Sequence, residues 1–228
     1  VTHELHTPLA AIRSAGQNLA DGVVTEPRQI HRYGELIQKE GTRLSGLVAQ
    51  VLDFAGIESG TTAYASEPIH LADLVQEVVG NLALVVEQAG VEVEIDVPED
   101  RPEIQGDADA LRRALENLVT NATKFAREGR WVGIKAAAGP RAGTVTVRVE
   151  DRGPGIPKAE RGRVFEPFYR GSDARRHQSP GSGLGLSLVR HVAEAHRGRV
   201  SVENREGGGA AIVLELPTAG SVGEASTR

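Results

Sequence analysis

Cysteine and methionine are both missing from this 228-residue sequence. Without cysteine the protein has no disulfides, no thiolate metal site and no cysteine nucleophile, which fits a reducing compartment. Because a natural chain begins with methionine, the absence of that residue predicts that the sequence is a fragment of a longer protein.

Long apolar runs are missing as well. No stretch is long enough to cross a bilayer, and the first residues lack the pattern of a signal peptide. The composition, 39% hydrophobic and 25% charged, is that of a soluble globular protein. The net charge of -5 argues against nucleic acid as the main partner. We therefore expect a globular fragment with no membrane span and no nucleic-acid partner.

Residues 1–58 are predicted to form a helical hairpin with a break at 25–27. Each half repeats apolar residues in alternating steps of four and three, which is typical of helices with narrow apolar seams. The seams are Leu5, Leu9, Ile12, Gly16, Leu19 and Val23 in the first helix, and Ile30, Tyr33, Ile37, Leu44, Val48, Val51 and Phe54 in the second. A lone hairpin cannot bury both seams, so we expect a homodimer in which two hairpins form a four-helix bundle.

Residues 68–217 show a mixed pattern of helices and strands, after a small, polar linker at 59–67 and before a tail at 218–228 that we expect to be disordered. The predicted helices are 71–88, 107–126 and 182–197, and the predicted strands are 91–97, 131–136, 144–149, 200–204 and 211–216. The paired strands read as antiparallel hairpins with helices between them, which indicates an α+β sandwich rather than a doubly wound sheet.

The helix predicted at 107–126 has two distinct faces. Its leucines form an apolar face, and Asn117, Asn121 and Lys124 cluster about 110° away from it at 100° per residue. Two carboxamides and an ammonium in this arrangement suit an oxygen ligand for a hydrated cation and a positive charge for phosphate. The alternative is an ordinary solvated helix face.

Two glycine-containing loops carry further candidate chemistry. Asp151 ends a strand and leads into Gly153 and Gly155, where an aspartate can accept a hydrogen bond from an amine such as that of adenine. The stretch G-S-G-L-G-L at 181–186 opens a helix, whose free N–H groups can bind phosphate. The alternatives are an ordinary Gly-Pro loop and a flexible loop. The second stretch lacks the spacing and leading strand of a dinucleotide fingerprint, and the chain has no G-K-[ST].

Taken together, these motifs resemble those of the bacterial sensor histidine kinases over almost the whole chain. The five similar boxes are H-E-L-H-T-P-L at 3–9, N-L-V-T-N-A-T-K-F at 117–125, D-R-G-P-G at 151–155, F-E-P-F-Y-R at 165–170 and G-S-G-L-G-L at 181–186. The resemblance implies a dimeric helical phosphotransfer domain, followed by a catalytic domain with the Bergerat ATP-binding fold. Such a fold is an α+β sandwich with a mixed, mainly antiparallel sheet.

The resemblance also implies the residues that hold ATP and Mg²⁺. Asn121 is implied as the Mg²⁺ ligand, with Asn117 and Lys124 assisting at the triphosphate, and Asp151 as the acceptor of the adenine amine. The remaining residues of the implied pocket are Gly153, Gly155, Gly181, Gly183, Leu184, Gly185 and Leu186.

Three residues around the implied ATP lid, at about 171–182 by resemblance, are also assigned by the family pattern. Phe165 and Phe168 anchor the lid, although plain core packing explains Phe168 almost as well. Arg170 stands beside the lid, where a guanidinium can offset the charge that develops on the γ-phosphate.

By the same resemblance His3 is the residue that accepts the phosphoryl group. Glu4 is suited to accept the proton from the other ring nitrogen, as a carboxylate does when it orients a catalytic histidine. Thr7 is implied in positioning water to dephosphorylate the partner, a response regulator. His6 stands where the family commonly has arginine, so it either competes as acceptor, tunes His3 or lies at the surface without a role.

The implied function is an autokinase that phosphorylates His3 and passes the phosphoryl group to an aspartate of a response regulator receiver domain, with phosphatase activity as well. The fragment is then the cytoplasmic portion of an inner-membrane sensor protein. The alternatives are an ATPase of the gyrase or MutL type and an inactive dimeric scaffold. An ATPase of that type places a glutamate base where this chain has Asn117, which cannot act as a base.

Pro8 lies where a helix could either begin or continue. Thr7 as N-cap and Pro8 as first helical residue satisfy the local rules. The five-motif context instead predicts a helix that continues through Pro8 and is loosened there, because proline provides no N–H for the carbonyl of Glu4.

Overall fold

The N-terminal part of the chain is a helical hairpin, as predicted. The computed structural model describes residues 2–58, 64–98, 103–126, 129–176 and 181–221. Helix α1 (Thr2–Ala20) runs through Pro8, so the prediction of a continuous helix is confirmed. Helix α2 (Pro27–Glu58) returns antiparallel to it, and the Asn18 side-chain amide lies 3.4 Å from the Tyr33 hydroxyl across the hairpin. None of the helices in these ranges combines the length and hydropathy of a bilayer span.

The C-terminal part is an α+β sandwich with a mixed sheet. Its helices are α3 (Leu71–Asn81), α4 (Ala83–Ala89), α5 (Ala108–Phe125), α6 (Ser172–Arg176) and α7 (Gly185–Ala195). Its strands are β1 (Glu67–Ile69), β2 (Glu92–Asp96), β3 (Ile104–Gly106), β4 (Trp131–Ala138), β5 (Thr144–Asp151), β6 (Arg199–Asn204) and β7 (Ala210–Pro217). The five-stranded sheet has the order β2-β4-β5-β7-β6, in which β2 and β4 are parallel and the other neighbours antiparallel. This is the mainly antiparallel sheet that was expected.

The core lies between this sheet and the helices that cover one face of it. Helix α5 contacts α3, α7 and the sheet. Its apolar face is buried, as the helical period of its leucines predicts. Its polar face is therefore directed away from the core. The largest fully buried side chains are Leu71, Ile104, Leu111, Leu118, Ile134, Leu184 and Leu214.

Two predicted helices of the C-terminal part differ most from the structure, whereas the other predicted elements of that part differ by one or two residues at their ends. The helix predicted over 71–88 is interrupted at Leu82, directly after Gly80 and Asn81, which are poor helix formers. The helix predicted over 182–197 is α7 and begins only at Gly185. The left-handed Gly90, with φ of 64°, ends α4 as a glycine C-cap does.

The prediction of a disordered tail from residue 218 is wrong for its first four residues. Thr218 donates its N–H to the carbonyl of Gly143, and Ala219 donates to that of Glu103. A short 3₁₀ turn, Ala219–Ser221, follows. These partners are distant in sequence, so the local composition gives no sign of them. The rest of the predicted tail, 222–228, lies outside the described residues.

The end of the predicted linker is attached to the start of α5. The N–H of Ala65 donates to Asp107 Oδ2 at 2.9 Å, and Asp107 Oδ1 caps the helix by accepting from the N–H of Ala110 at 2.8 Å. Burial alone raises the pKa of Asp107, but these two hydrogen bonds together hold it below the ordinary value. His196 Nε2 accepts the N–H of Asp107 at 2.9 Å, so α7 also holds this end. Residues 59–63 of the predicted linker lie outside the described part.

Candidate active site

The polar face of α5 lines a cavity of about 400 Å³. Asn117, Asn121 and Lys124 all border it, because the apolar face of the same helix is fixed against the sheet. The Asn117 amide donates to the carbonyl of Arg113 at 2.8 Å, which holds that side chain along the helix. Three polar groups that the sequence placed on one helix face thus meet one cavity.

Asp151 lies in the same cavity at the end of β5. The residue is only 8% exposed, and its Oδ1 accepts the N–H groups of Gly153 at 2.7 Å and Ala210 at 3.3 Å. Burial raises the pKa of Asp151 above the ordinary value, against the lowering effect of these hydrogen bonds and of the Arg205 charge. The site therefore contains a buried carboxylate whose position the backbone fixes.

The turn between β6 and β7 supports this carboxylate, which the sequence did not indicate. A Cβ at Gly209 would overlap the carbonyl oxygen of Asp151, and Gly209 has φ of +101°. The next residue, Ala210, donates to the Asp151 side chain. Asn204, at the end of β6, accepts the N–H of Ile156 at 3.1 Å and so holds the glycine-proline loop. Gly209 thus makes a close backbone contact beneath the site.

The glycine-rich stretch closes a third side of the cavity. Gly181, Gly183, Gly185 and Leu186 border it, and α7 begins at Gly185. Leu184 does not border it and is buried in the core instead. Gly185 lies beside α5, since a Cβ added there would lie 2.8 Å from Asn117 Oδ1, and a helix N-terminus next to these amides suits a phosphate group.

The phenylalanines of the predicted lid differ in their surroundings. Phe165 is buried in the core, whereas Phe168 is 47% exposed and has φ of 64°, unusual for a residue other than glycine. The N–H of Phe168 donates to the carbonyl of Gly183 at 3.0 Å, which ties this turn to the glycine-rich stretch. Arg170 is half-buried and borders the cavity.

Glu160 is a further residue of the site that the motifs did not mark. Both of its carboxylate oxygens lie within hydrogen-bonding distance of the N–H of Ser172, at 3.1 and 3.2 Å. Ser172 is the first residue of α6, in the segment predicted as the lid. Glu160 thus anchors the start of that segment beside the cavity.

Helix α2 provides a wall of the cavity that no sequence signal predicted. The α2 residues that border the cavity are Thr42, Arg43, Gly46, Leu47 and Gln50. The Ser182 hydroxyl donates to Gln50 Oε1 at 2.6 Å. Residues so far apart in the chain meet only because the C-terminal part folds back on the hairpin.

The predicted acceptor lies on α1. His3 and Glu4 fall within that helix, but their side chains lie outside the described residues. Thr7 is exposed one turn further on, and Pro8 is buried. Three other predicted site residues do not border the cavity: Gly153, Phe165 and Phe168.

The residues present suit a nucleotide with its metal ion. The cavity offers a buried acceptor, amide oxygens, an ammonium group and a helix end rich in N–H groups. Within the described ranges no group of three or more His, Cys, Asp or Glu side chains could hold a metal ion by itself. The amide oxygens of α5 would suit a hydrated Mg²⁺, an ion that proteins usually bind through few side chains together with substrate phosphates.

Comparison with known proteins identifies two families along the chain. Residues 1–60 match the model of the "His Kinase A (phospho-acceptor) domain". Residues 106–220 match that of the "Histidine kinase-, DNA gyrase B-, and HSP90-like ATPase".

Named relatives agree with both matches. The sensor-like histidine kinase SenX3 of Mycobacterium tuberculosis is 32% identical over 95% of this chain, which spans 52% of that protein. The mycobacterial sensor histidine kinase MprB has a solved structure that is 31% identical, covers 68% of this chain and 98% of its own, and has a TM-score of 0.57. Full-length ShkA in complex with AMPPNP is 30% identical over 95% of this chain and 44% of its own, with a TM-score of 0.72.

Proposed function

This chain belongs to the sensor histidine kinases, and from that premise we propose that it is an ATP-dependent autokinase that phosphorylates His3. The observation that carries the proposal is the single cavity in which Asp151, the polar face of α5 and the N-terminus of α7 meet. We further propose that residues 1–58 are the dimerisation and phosphotransfer domain and 68–217 the catalytic domain.

The cavity suggests how ATP lies in it. Asp151 accepts a hydrogen bond from the adenine amine through Oδ2, since both backbone hydrogen bonds fall on Oδ1. Asn117 and Lys124, together with the N–H groups of the 181–186 stretch, hold the triphosphate. AMPPNP in the ShkA complex is an ATP analogue, which supports a nucleotide of this class. Asn121 would bind Mg²⁺ through its amide oxygen, and the ion would offset charge on the phosphates.

The reaction transfers the γ-phosphoryl group to a ring nitrogen of His3. The P–N bond forms as the bond between the γ-phosphorus and the bridging oxygen breaks, and ADP leaves with the electron pair. Glu4 accepts the proton from the other ring nitrogen, which fixes the tautomer of the attacking imidazole. Arg170 offsets the negative charge that develops on the transferred oxygens.

The partners follow from the hairpin. Leu9 on α1 and Val23 in the connection after it are exposed large apolar side chains, as are Ile30, Val48 and Leu52 on α2. We propose that a second copy covers them in a four-helix bundle. The phosphoryl group then passes from His3 to an aspartate of a response regulator receiver domain, and Thr7 helps to dephosphorylate that regulator. The chain spans about half the length of the curated sensor kinases it matches. We propose that it belongs to the cytoplasmic side of an inner-membrane sensor.

The rival activity, ATP hydrolysis, is not favoured. Asn117 occupies the position at which such an ATPase has its glutamate base. The adjacent Glu116 does not border the cavity, and its carboxylate accepts a hydrogen bond from the Asn81 amide at 3.3 Å. Neither residue therefore offers a carboxylate base to activate a water molecule beside the phosphates. The phosphoryl group is thus protected from hydrolysis and available for transfer.

Incubation of the 228-residue chain with Mg²⁺ and ATP labelled at the γ-phosphate tests the function. We expect labelled protein whose phosphate is lost in acid and kept in alkali, as a P–N bond behaves. Release of phosphate without labelled protein would instead indicate an ATPase. Failure to bind nucleotide at all would indicate a scaffold.

The raised pKa of Asp151 predicts that ATP affinity depends on pH. A folded-state pKa above the ordinary value means that this carboxylate takes up its proton earlier as the pH falls. Protonation weakens its hydrogen bond to the adenine amine, because a charged acceptor binds about twice as strongly as a neutral one. Titration with a fluorescent ATP analogue should show constant affinity near neutral pH and a loss of about ten-fold at acidic pH. Asp151→Asn should bind more weakly and lose this dependence; the same pH profile in that variant would contradict the role of Asp151.

A further inference from the structure

One wall of the nucleotide cavity belongs to α2 of the same chain. Gln50 is half-buried there, and its Oε1 accepts the Ser182 hydroxyl at 2.6 Å. The same hydroxyl lies 3.3 Å from the N–H of Leu184 and accepts from it. Ser182 lies between the first two glycines, Gly181 and Gly183, of the stretch that we propose holds the phosphates. Helix α2 is therefore tied directly to the phosphate end of the cavity.

The hairpin places His3 at the height of this contact. Asn18 and Tyr33 lie opposite each other on the antiparallel helices. Both helices rise about 1.5 Å per residue. Fifteen residues back along α1 from Asn18 is His3, and fifteen residues forward along α2 from Tyr33 is Val48. The α2 residues that border the cavity, between Thr42 and Gln50, enclose this level.

The cavity also lies on the side of α2 that is away from the proposed partner. Among the described side chains of α2, four large apolar ones are exposed. Three of them form one stripe along the helix, with exposed fractions of 45% for Ile30, 44% for Val48 and 65% for Leu52. The fourth, Leu36, lies outside this stripe. At 100° per residue, the cavity-bordering residues are centred about 180° from this stripe. Tyr33, which faces α1 of the same chain, lies about 110° from them. A second copy that covers the stripe is therefore on the far side of α2.

From this geometry we infer that phosphoryl transfer takes place within one chain, with Gln50 as a positioning residue. The inference rests on the proposed kinase function. The cavity of each chain delivers the γ-phosphoryl group to His3 of its own α1, where the P–N bond forms as ADP departs. Gln50 holds the glycine-rich stretch on α2, so that the γ-phosphate stays at the level of His3. It does not touch the reacting atoms.

Mixed dimers with two different affinity tags test transfer within one chain. One chain carries His3→Gln and the other Asn121→Ala, and tandem purification after co-expression isolates the mixed pair. Each chain then lacks one half of the reaction. We expect no label in this pair. Label on the Asn121→Ala chain would show transfer between chains and overturn the inference.

The matched control pairs an unmodified chain with a chain that carries both substitutions. Transfer within one chain labels the unmodified subunit of this pair, and transfer between chains labels neither subunit. If the chain does not dimerise, we expect the rate of labelling per molecule to be independent of protein concentration. A rate per molecule that rises in proportion to protein concentration would overturn the inference. Absence of label in the unmodified homodimer would contradict the proposed kinase function itself. Failure of that function is therefore distinguishable from failure of the inference that transfer takes place within one chain.

The role of Gln50 is tested by separating kcat from KM. Gln50→Ala should lower kcat for His3 labelling about five-fold, the effect of one lost hydrogen bond, and leave the KM for ATP unchanged. Gln50→Glu keeps an oxygen acceptor for the Ser182 hydroxyl and should restore most of the rate. Gln38→Ala, an exposed glutamine on the same helix, is the matched control and should label at the original rate.

Three outcomes would overturn the role of Gln50. A rise in kcat in Gln50→Ala would show that the contact holds the enzyme in an inactive arrangement. A raised KM with unchanged kcat would show that Gln50 only helps to bind ATP. Equal rates in Gln50→Ala and Gln38→Ala would show that the contact has no part in the reaction.

Discussion

Replacement of His3 by glutamine is expected to reduce acid-labile labelling to background. Glutamine keeps much of the size and polarity of histidine, but its amide nitrogen has no free electron pair with which to attack phosphorus. The loss should be complete, because the substitution removes the nucleophile itself. The measurement is the incorporation of label from γ-labelled ATP into the protein, with Mg²⁺ present.

His6→Gln is the matched control for this substitution. His6 lies on the same helix with an exposed side chain and is the other candidate acceptor. The His6→Gln variant should retain labelling and the original nucleotide affinity, because His6 does not border the cavity. Label that survives in His3→Gln and disappears in His6→Gln would move the acceptor to His6.

The second large effect is expected at Gly209. An alanine Cβ there would overlap the backbone oxygen of Asp151, and neither β5 nor β7 can shift without loss of their shared hydrogen bonds. The φ of +101° adds backbone strain for any residue with a side chain. We expect Gly209→Ala to lower the free energy of unfolding by about 3 to 5 kcal/mol, from strain and overpacking together.

Gly208 offers a control in the same turn. Its φ is +100°, but a Cβ there meets nothing within 4 Å, so Gly208→Ala carries the strain without the overlap. We expect a loss of about 1 to 2 kcal/mol from strain alone. Urea unfolding of both variants measures the difference.

Nucleotide affinity provides a second comparison between these two variants. Gly209→Ala should weaken ADP binding, since Ala210 donates to the Asp151 carboxylate from the adjacent position. Gly208→Ala should bind ADP as the unmodified chain does. Equal unfolding energies and equal affinities in the two variants would contradict a close contact beneath Asp151.

The candidate site could be predicted from the sequence where its geometry is local. Asn117, Asn121 and Lys124 share a face because the helical period alone places them there. Asp151 follows a strand whose alternation is visible in the chain, and it lies at the end of β5 as that pattern requires. The hairpin pairs β4–β5 and β6–β7 were predictable for the same reason, whereas the β2–β4 and β5–β7 pairs join segments that no local pattern links.

Contacts between distant segments could not be predicted in this way. The cap that His196 provides for α5 and the attachment of Thr218 to the loop before β5 leave no trace in local composition. Gly80 and Asn81 disfavour a helix just before the interruption at Leu82, but the apolar pattern continues through them and predicts one helix.

The sequence by itself determined the candidate residues of the site, the faces on which they lie and the glycines that the turns require. These features depend on the period of a helix, the alternation of a strand and the φ angle of single residues, all of which are short-range. Only the tertiary structure decided that Gln50 of α2 meets Ser182 of the glycine-rich stretch. That contact arises from the packing of the catalytic part against the hairpin, where shape and burial over the whole molecule, and no local pattern, select which surfaces meet.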